Sequence, residues 1–516
     1  MTNRSIDIQI TLNGKATRLR CSAPTQTLLN ALNAAGHSGT KEGCGDGDCG
    51  ACTVAILQAD ANGVTRAVAV NSCLLPAGQL SGANIVTVEG LKALNGGARH
   101  PSQTAMVRHG GSQCGYCTPG FVMSLFAAFH SAEKALDDAA VEGNLCRCTG
   151  YNSIRRAIAE LIETPAFALV DVERAAKAAL VDKPNLQTNQ WLYRPATLDA
   201  ALRLKQSQPQ AQWLAGATDL GLEFSRDALH PKPLIAIDAL LELTQLTLTE
   251  GLLEIGAAVS LARLQAALRG QNHLDSFALA NESTGKLLAL ANESTGKLSS
   301  FRDGALRGVY TMLHWFAATQ VRNRATLGGN LGTASPISDL LPVLLALDAE
   351  IVLQSVREVR SVFASNYFLD YRKTALLPDE LVRCVRIKLS TNPGSRTLTQ
   401  SYKVGKRGSD DISIVAACFL LELDAENLIV KARLAYGGIA AIPIRAHAAE
   451  ALLVGQTLNW RTGGAELSAL LRATLHATFT PLSDFRGSAD YRKMLIVNLF
   501  DKFLFEMTQA NAGAHS

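Results

Sequence analysis

Short runs of alternating apolar and polar residues dominate the first ninety positions, the pattern of strands with one buried face. From Ile6 to Leu12 every second residue is apolar, and Asn13-Gly14 predicts a type I′ turn into a return strand. A helix is expected from an N-cap at Thr25 to Gly36. Further strands are predicted over Thr53–Leu57, Val64–Val70 and Ile85–Val88.

Helical periodicity takes over further along the chain. Thr118-Pro119 predicts an N-cap followed by proline at the first helical position, with a helix reaching about His130. A second helix is expected after Asn152-Ser153, because Ile154, Ile158 and Leu161 recur on one face. A polar, alanine-rich stretch over residues 169–188 predicts a linker.

Two glycine-containing segments follow the linker. Trp213–Glu223, WLAGATDLGLE, predicts a strand and a turn whose amides could cradle a pyrophosphate, although an ordinary strand and turn is the commoner explanation. Gln320–Pro342, QVRNRATLGGNLGTASPISDLLP, predicts a tight loop of small residues. In that loop glycine would allow positive φ and close approach of a ligand at Gly328, Gly329 and Gly332.

Length and composition narrow the class of protein. A chain of 516 residues predicts several domains, and a net charge of +4 with 18% charged residues favours neither nucleic acid nor a membrane surface as partner. An apolar run long enough to span a membrane and the apolar core of a signal peptide are both missing from the sequence. We therefore expect a cytoplasmic protein, in which eleven cysteines indicate metal ligation rather than disulfides.

The stretch KEGCGDGDCGAC, Lys41–Cys52, carries the first candidate metal site. Cys44, Cys49 and Cys52, with Cys73 further on, have the spacing of a plant-type ferredoxin 2Fe-2S cluster. The alternatives are zinc, a disulfide framework or free thiols, and zinc sites usually pair two short knuckles instead. A hairpin, a helix and then this loop is the order expected of a β-grasp ferredoxin domain.

A second group of cysteines consists of Cys114, Cys117, Cys146 and Cys148. Each pair precedes a predicted helix, whose N-terminal dipole stabilises thiolates and an anionic cluster. On spacing alone a structural zinc is nearly as good an explanation. The ferredoxin loop upstream favours a second 2Fe-2S cluster.

The cysteine segments together resemble the iron–sulfur portion of the molybdenum hydroxylases. They read EGCGDGDCGACTV (Glu42–Val54), QCGYCTPGF (Gln113–Phe121) and NLCRCTGY (Asn144–Tyr151). The two glycine segments resemble the flavin domain of the same family, in which one loop holds the FAD pyrophosphate and the other reaches the ribityl chain and ring. The resemblance implies these FAD-binding residues: Leu214, Ala215, Gly216, Ala217, Thr218, Asp219, Leu220, Phe316, Gly328, Gly329, Asn330, Thr333, Ser335, Ser338 and Asp339. Without the family resemblance, Phe316 would be predicted to be a core residue.

Three later segments resemble the C-terminal flavin-associated domain of xanthine dehydrogenase small subunits: Lys403–Val415, Tyr436–Ala446 and Asp484–Lys493. Asp410 and Asp411 are expected to fix Lys406 or Arg407 near the mouth of the flavin site. The predicted fold class is multidomain α+β. Its predicted parts are a β-grasp ferredoxin domain (1–90), an all-α four-helix 2Fe-2S domain (91–168), the linker (169–188), an α+β FAD-binding domain (189–392) and an α+β C-terminal domain (393–512).

The whole arrangement resembles the small subunit of a two-chain xanthine dehydrogenase. The resemblance implies an oxidoreductase subunit that takes electrons from a molybdopterin-containing large subunit through two clusters to FAD and then to NAD, in purine metabolism. It also implies a dimer of such heterodimers, with no catalytic residue for hydroxylation in this chain. Gln113, which faces the pterin in that family, suggests a partner surface. The alternatives are a subunit of another molybdenum hydroxylase, for an aldehyde or N-heterocycle, and a free-standing iron–sulfur flavoprotein reductase.

One feature departs from the family pattern. FALANESTGKL (Phe277–Leu287) is followed by LALANESTGKL (Leu288–Leu298), a near-exact duplication. We interpret it either as an extended surface insertion or as an artefact of the sequence; in both cases it affects the loop before Phe316 and not the cofactors. Cys21, Cys384 and Cys418 fit no ligand pattern and are expected to be dispensable for iron binding.

Overall fold

The computed structural model describes residues 5–59, 64–131, 134–167, 169, 191–226, 232–270, 298–389, 394–408, 410–457 and 465–513. Its strands are β1 Ile6–Leu12, β2 Lys15–Cys21, β3 Thr53–Ala59, β4 Thr65–Asn71, β5 Asn84–Val86, β6 Leu192–Tyr193, β7 Gln212–Leu214, β8 Leu234–Ala236, β9 Leu246–Thr249, β10 Leu252–Gly256, β11 Glu350–Gln354, β12 Val359–Phe363, β13 Phe368–Asp370, β14 Lys373–Thr374, β15 Leu381–Lys388, β16 Arg396–Val404, β17 Val415–Leu423, β18 Ile429–Gly437 and β19 Ile444–Arg445. Its α-helices are α1 Leu28–Ala34, α2 Leu91–Leu94, α3 Pro101–Arg108, α4 Thr118–Phe129, α5 Asn152–Glu163, α6 Leu198–Ser207, α7 Gly221–Arg226, α8 Leu261–Leu268, α9 Arg307–Trp315, α10 Thr319–Arg322, α11 Leu327–Thr333, α12 Leu341–Ala346, α13 Ala364–Tyr367, α14 His447–Leu453, α15 Ala465–Thr478 and α16 Ala489–Gly513.

The N-terminal domain is a five-stranded sheet with strand order β2-β1-β5-β3-β4, crossed by α1. Asn13 and Gly14 have φ of 53° and 79°, which confirms the type I′ turn. The prediction of Thr25 as N-cap is wrong: the hydroxyl of Thr27 accepts the N–H of Asn30 instead. The third predicted strand is also shorter than expected, because the chain turns into a 3-10 helix at Val88.

The second domain packs α2, α3, α4 and α5 around a core of aromatic and aliphatic side chains. Both long predicted helices are present. Thr118, however, is not the N-cap of α4, since the cap is Cys117 and the Thr118 hydroxyl donates to Ser112 Oγ (2.7 Å). The cysteine therefore lies at the helix N-terminus itself, where the backbone N–H groups are free to interact with sulfur.

A buried histidine pair lies in the core of this helical domain. The Nε2 atoms of His100 and His130 are 2.9 Å apart, and both side chains are buried against Phe126 and Phe129. Burial and the charge of its partner lower the pKa of His100 to about 3, and burial lowers the pKa of His130 to about 4. The folded domain therefore holds both rings neutral.

This pair predicts acid sensitivity of the helical domain. Because both folded pKa values lie below the unfolded value near 6.5, the stabilisation is complete above pH 6.5 and is lost as pH falls towards 4. We expect each histidine to cost about 1 kcal/mol of unfolding free energy by pH 5.5. His130→Gln should reduce the loss of melting temperature between pH 7.5 and 5.5, whereas His476→Gln, at an exposed position, should not. An equal loss in both variants would contradict this prediction.

The third domain contains the two-stranded sheet β13-β14 and two larger sheets. β6-β8-β7 is a short parallel sheet, and β12-β11-β15-β10-β9 is an antiparallel sheet. The short parallel sheet shares an apolar core with the N-terminal domain, where Leu192, Leu214 and Leu234 meet Leu28 and Leu75. The expectation of a loop around Gly328, Gly329 and Gly332 is wrong, because these residues form helix α11, capped by Thr326.

The last domain is the antiparallel sheet β16-β17-β18-β19 covered by α14, α15 and α16. The predicted multidomain α+β fold is confirmed, while the predicted domain boundaries stay predictions. The linker prediction and most of the duplicated segment, up to residue 297, fall outside the described residues. Among the helices that the structure describes, none is long and apolar enough to cross a membrane.

Candidate functional site

The four cysteines of the first predicted cluster meet around the loop that precedes β3. The N–H of Cys44 donates to Cys49 Sγ and the N–H of Cys49 donates to Cys44 Sγ, each over 3.3 Å. Cys52 Sγ and Cys73 Sγ are also 3.3 Å apart, and both are buried. The loop turns back on itself through positive φ at Gly45, Gly47 and Gly50.

Hydrogen bonding within each pair lowers the pKa of one thiol, Cys49 or Cys52, and raises the pKa of its partner, Cys44 or Cys73. The hydrogen bond from Cys44 lowers the pKa of Cys49 to about 6 against the opposing effect of burial, and the backbone N–H of Ala51 acts in the same direction. Thiolate is the form that ligates iron. Thiolates surrounded by backbone N–H donors are the environment that iron–sulfur clusters use.

The second group of cysteines lies at the edge of the helical domain. Cys117 is hydrogen-bonded to Cys146, and Cys114 to Cys148. The Tyr151 hydroxyl accepts the N–H of Cys146 (3.0 Å), which fixes the loop before α5. Cys114 and Cys148 are exposed, so this group opens onto the protein surface.

Both groups have the donor set of a 2Fe-2S cluster, which spreads four thiolates over two irons rather than around one ion. Among the residues that the structure describes, no set of three or more His, Cys, Asp or Glu side chains is spaced to hold a single metal ion. The eight ligand assignments stay predictions.

A large cavity lies between the third and fourth domains and the first cysteine loop. Its volume is about 1170 Å³, above the roughly 300–1,000 Å³ of most small-molecule sites, as an extended dinucleotide requires. The predicted FAD residues on its wall are Ala215, Gly216, Ala217, Thr218, Asp219, Leu220, Phe316, Gly328, Gly329, Asn330, Thr333, Ser335, Ser338 and Asp339. The structure does not bring Leu214 to the cavity, because this side chain points into the core shared with the N-terminal domain.

Direct contacts hold the two flavin segments together. The Thr333 hydroxyl donates to Asp219 (3.2 Å), and Arg324 donates to the carbonyl of Gly216 (3.4 Å) while pairing with Asp238 (3.3 Å). A Cβ on Gly216 would lie 1.8 Å from the carbonyl oxygen of Arg324, so only glycine fits. The close packing of these segments is thus built into the protein.

Two of the three glycines of helix α11 have a different reason; the third, Gly328, packs closely against Ala257. A Cβ on Gly332 would meet no atom within 4 Å, and one on Gly329 would meet only Thr326 Oγ1, at 3.1 Å. Neither residue has positive φ, contrary to our expectation of backbone strain there. Glycine in a helix costs about 0.5–1 kcal/mol relative to alanine, and the protein itself does not require it at Gly332. The absence of a side chain at Gly332 leaves space for a ligand against the helix, as the predicted FAD site requires.

If this interpretation is right, Gly332→Ala should raise the stability of the flavin-free protein and lower its affinity for FAD. The flavin-free protein should gain about 0.5–1 kcal/mol in stability from helix propensity. FAD affinity should fall by about tenfold, because the new methyl group occupies ligand space. Calorimetric unfolding of the flavin-free form and fluorescence titration with FAD measure the two effects. Tighter or unchanged FAD binding would contradict the assignment of this wall.

Charged residues that the sequence pattern did not mark also line the cavity. Asp46 and Asp48 come from the first cysteine loop, and Lys403 comes from the fourth domain, where it pairs with Asp339 (2.8 Å). Nothing in the sequence indicates that the cysteine loop also lines the cavity, because this contact joins domains that are far apart along the chain. The Asp339–Lys403 pair is nearly fully buried and joins the third and fourth domains at the cavity.

Four residues of the fourth domain lie at the rim of the cavity: Arg407, Asp410, Asp411 and Ile412. Asp411 accepts the backbone N–H groups of Lys406 (2.6 Å) and Arg407 (2.7 Å), so it fixes these residues as expected, although through their backbone. Burial raises the pKa of Asp410 to about 6, and the charge of Asp48 acts in the same direction. Carboxylates of the two domains therefore face one another at the rim.

Comparison with protein families identifies four consecutive domains. Residues 10–77 match the 2Fe-2S iron–sulfur cluster binding domain, and residues 87–159 match the [2Fe-2S] binding domain. Residues 185–388 match the FAD binding domain in molybdopterin dehydrogenase. Residues 400–507 match the CO dehydrogenase flavoprotein C-terminal domain.

Curated relatives include several xanthine dehydrogenases. The chain is 30% identical to that of Emericella nidulans over 97% of its length, and 29% identical to xanthine dehydrogenase 2 of Arabidopsis thaliana over 98%. It spans only 38% and 40% of those relatives. Among solved structures, quinoline 2-oxidoreductase from Pseudomonas putida 86 matches 62% of this chain and 97% of its own, with 22% identity and a TM-score of 0.48.

Proposed function

We propose that this chain, a homologue of the xanthine dehydrogenases with the iron–sulfur and FAD domains of a molybdenum hydroxylase, is the electron-transfer subunit of such an enzyme. Electrons from a molybdopterin-containing large subunit pass through two 2Fe-2S clusters to FAD and on to NAD. Clusters exchange single electrons and a flavin exchanges one or two, so the flavin connects one-electron and two-electron chemistry.

The order of the cysteine groups carries this proposal. The second group opens onto the surface through Cys114 and Cys148, beside the exposed Gln113. The first group includes the buried Cys52 and Cys73 as well as the exposed Cys44, and its loop lines the flavin cavity at Asp46 and Asp48. An electron that enters beside Gln113 therefore meets the second group, then the first, then the flavin.

The contact between the first cysteine loop and the flavin segment supports the final step of this order. The side chain of Gln79 donates to the carbonyl of Ala215 (2.7 Å). A Cβ on Gly221 would lie 2.3 Å from the carbonyl oxygen of Leu74, the residue after Cys73. The flavin segment thus packs directly against the turn that contains Cys73.

Xanthine as substrate and NAD as acceptor are the finer parts of the proposal. They are supported by the xanthine dehydrogenases among the relatives. The decisive test is expression with the large molybdenum-containing chain, followed by anaerobic addition of xanthine. We expect the cluster absorbance to bleach and NAD to be reduced. If only an aldehyde or another N-heterocycle reduces the clusters, that compound replaces xanthine as the proposed substrate. If the chain associates with no large subunit and passes electrons from NADH to an acceptor at full activity, the free-standing reductase is favoured.

We also expect FAD to bind without a covalent link. The cavity wall formed by residues 215–220 and 328–339 contains no histidine or cysteine that could attach to the flavin. Acid precipitation should therefore release all of the flavin into the supernatant. Yellow colour that stays with the precipitated protein would contradict this expectation.

A further inference from the structure

A short segment of the flavin domain lies between both iron–sulfur domains. It runs from Ala318 to Arg324 and contains helix α10. Asn323 donates to the carbonyl of Ala69 in β4 (2.8 Å), and Thr319 donates to the carbonyl of Ala139 in the helical domain (3.0 Å). Arg322 forms a buried ion pair with Glu142 (2.5 Å). The segment therefore fixes three domains relative to one another.

Gln320 lies at the centre of this junction and is 1% exposed. Its Nε2 donates to Ser124 Oγ (3.0 Å) and to Asn144 Oδ1 (3.1 Å), and Ser124 also donates to Asn144 Oδ1 (2.7 Å). Asn144 Nδ2 donates to the carbonyl of Gly50 (3.0 Å). Asn144 is two residues before Cys146, and Gly50 directly follows Cys49. One hydrogen-bonded chain thus joins the flavin domain to both cysteine loops.

The backbones at this junction leave no room for adjustment. A Cβ on Gly143 would lie 2.5 Å from Ala318 Cβ and 2.3 Å from Gln320 Oε1. A Cβ on Gly50 would lie 2.2 Å from the Gly143 carbonyl oxygen. Close-packed groups of this kind transmit displacement instead of absorbing it.

The other side of the same segment faces the flavin cavity. Val321 and Ala325 line the cavity, and Arg324 holds the Gly216 carbonyl of the first flavin segment. A shift of α10 would therefore change the position of the flavin walls relative to both cysteine loops. The buried Oε1 of Gln320 has no hydrogen-bond partner in the described part of the chain. A buried polar atom of this kind costs stability, which the contacts of Nε2 with both cysteine domains must offset.

We propose that Gln320 is a positioning residue that sets the separation between the two clusters and the flavin, and thereby the rate of electron transfer between them. The inference rests on the proposed electron-transfer function. In the step concerned, a reduced cluster is oxidised by one electron and the flavin gains that electron, while no bond is broken. Such a transfer slows steeply as the separation of its centres grows.

The test compares three variants of the full chain loaded with iron and flavin. Gln320→Met keeps the length of the side chain and removes its hydrogen bonds, and Gly143→Ala pushes α10 away from the second cysteine loop. Thr319→Val is the matched control, because it also removes a hydrogen bond between domains, together with one from Arg322 within the segment, but touches neither cysteine loop. Laser-triggered one-electron reduction of the clusters, followed at the flavin absorbance, measures the rate without a partner or substrate.

We expect the rate in Gln320→Met and Gly143→Ala to fall by about tenfold, with Thr319→Val unchanged. The EPR spectrum of the dithionite-reduced protein should also change in the first two variants, because the magnetic interaction of two reduced clusters depends on their separation. Iron and flavin contents should stay at the wild-type level. Loaded variants with wild-type rates and spectra would overturn the role of Gln320 and leave the proposed function intact. A wild-type chain that binds no cluster or flavin would overturn the function itself.

Discussion

Gly216→Ala is expected to yield a protein that keeps its iron and loses its flavin. The new methyl group would lie 1.8 Å from a backbone oxygen of Arg324, and backbone cannot give way as a flexible side chain can. Separating the two flavin segments should cost about 3 kcal/mol, the upper end for overpacked sites. Since each 1.4 kcal/mol is tenfold in affinity, FAD binding should weaken by about two powers of ten.

The clusters should be spared in this variant, because the cysteines pack elsewhere: Cys52 and Cys73 against Leu74, and Cys117 and Cys146 against the core of the helical domain. Gly304→Ala is the matched control in the same domain, since its nearest contact would be an ordinary 3.7 Å. Flavin fluorescence after acid release and iron analysis measure the two contents. With the large subunit supplied, substrate should still reduce the clusters while NAD reduction disappears. Flavin retained at the wild-type level would show that the two segments do not form the site.

The cysteine loops and the two flavin segments could be located from the sequence because their chemistry depends on short-range spacing. Three thiolates in one loop need Cys44, Cys49 and Cys52 close in sequence, with glycines where the backbone reverses. The strands and long helices follow from periodicity in the same way. Such features are local, so the sequence displays them directly.

The predictions failed where contacts with residues distant in sequence determine the structure. Positive φ was expected at Gly328, Gly329 and Gly332, yet none of them has it, and the most tightly packed glycine of the two flavin segments is Gly216, because Arg324 from the other segment lies against it. Leu214 was assigned to the flavin, yet its side chain belongs to a core shared by two domains. Contacts between domains leave no period or motif in the chain, and for the same reason Gln320 and Asp48 could not be recognised from the sequence.

Cys148→Ala should remove the second cluster and leave the first. Iron should fall from about four atoms per chain to about two, because each 2Fe-2S cluster needs its own four thiolates. Cys148 is exposed and pairs only with Cys114 in the second group, so its loss leaves the buried Cys52–Cys73 pair of the first group undisturbed. Acid-labile sulfide and EPR of the reduced protein identify the cluster that remains.

The same variant tests the direction of electron flow. Electrons supplied by NADH at the flavin should still reach the first cluster, whose loop lines the flavin cavity. Electrons supplied by substrate through the large subunit should no longer reach the flavin, because in the proposed order the second cluster passes them to the first. Flavin reduction by substrate at the wild-type rate would show that electrons enter elsewhere.

The remaining cysteines supply the controls for this experiment. Cys21, Cys384 and Cys418 are buried in strands β2, β15 and β17, apart from both groups of cysteines, where they pack as small apolar residues. Alanine at any of them should lower stability by about 1 kcal/mol through lost packing and leave the iron content unchanged. Loss of iron from a folded Cys418→Ala variant would mean that the ligand sets are misassigned, and the order of electron transfer inferred from them would fail with it.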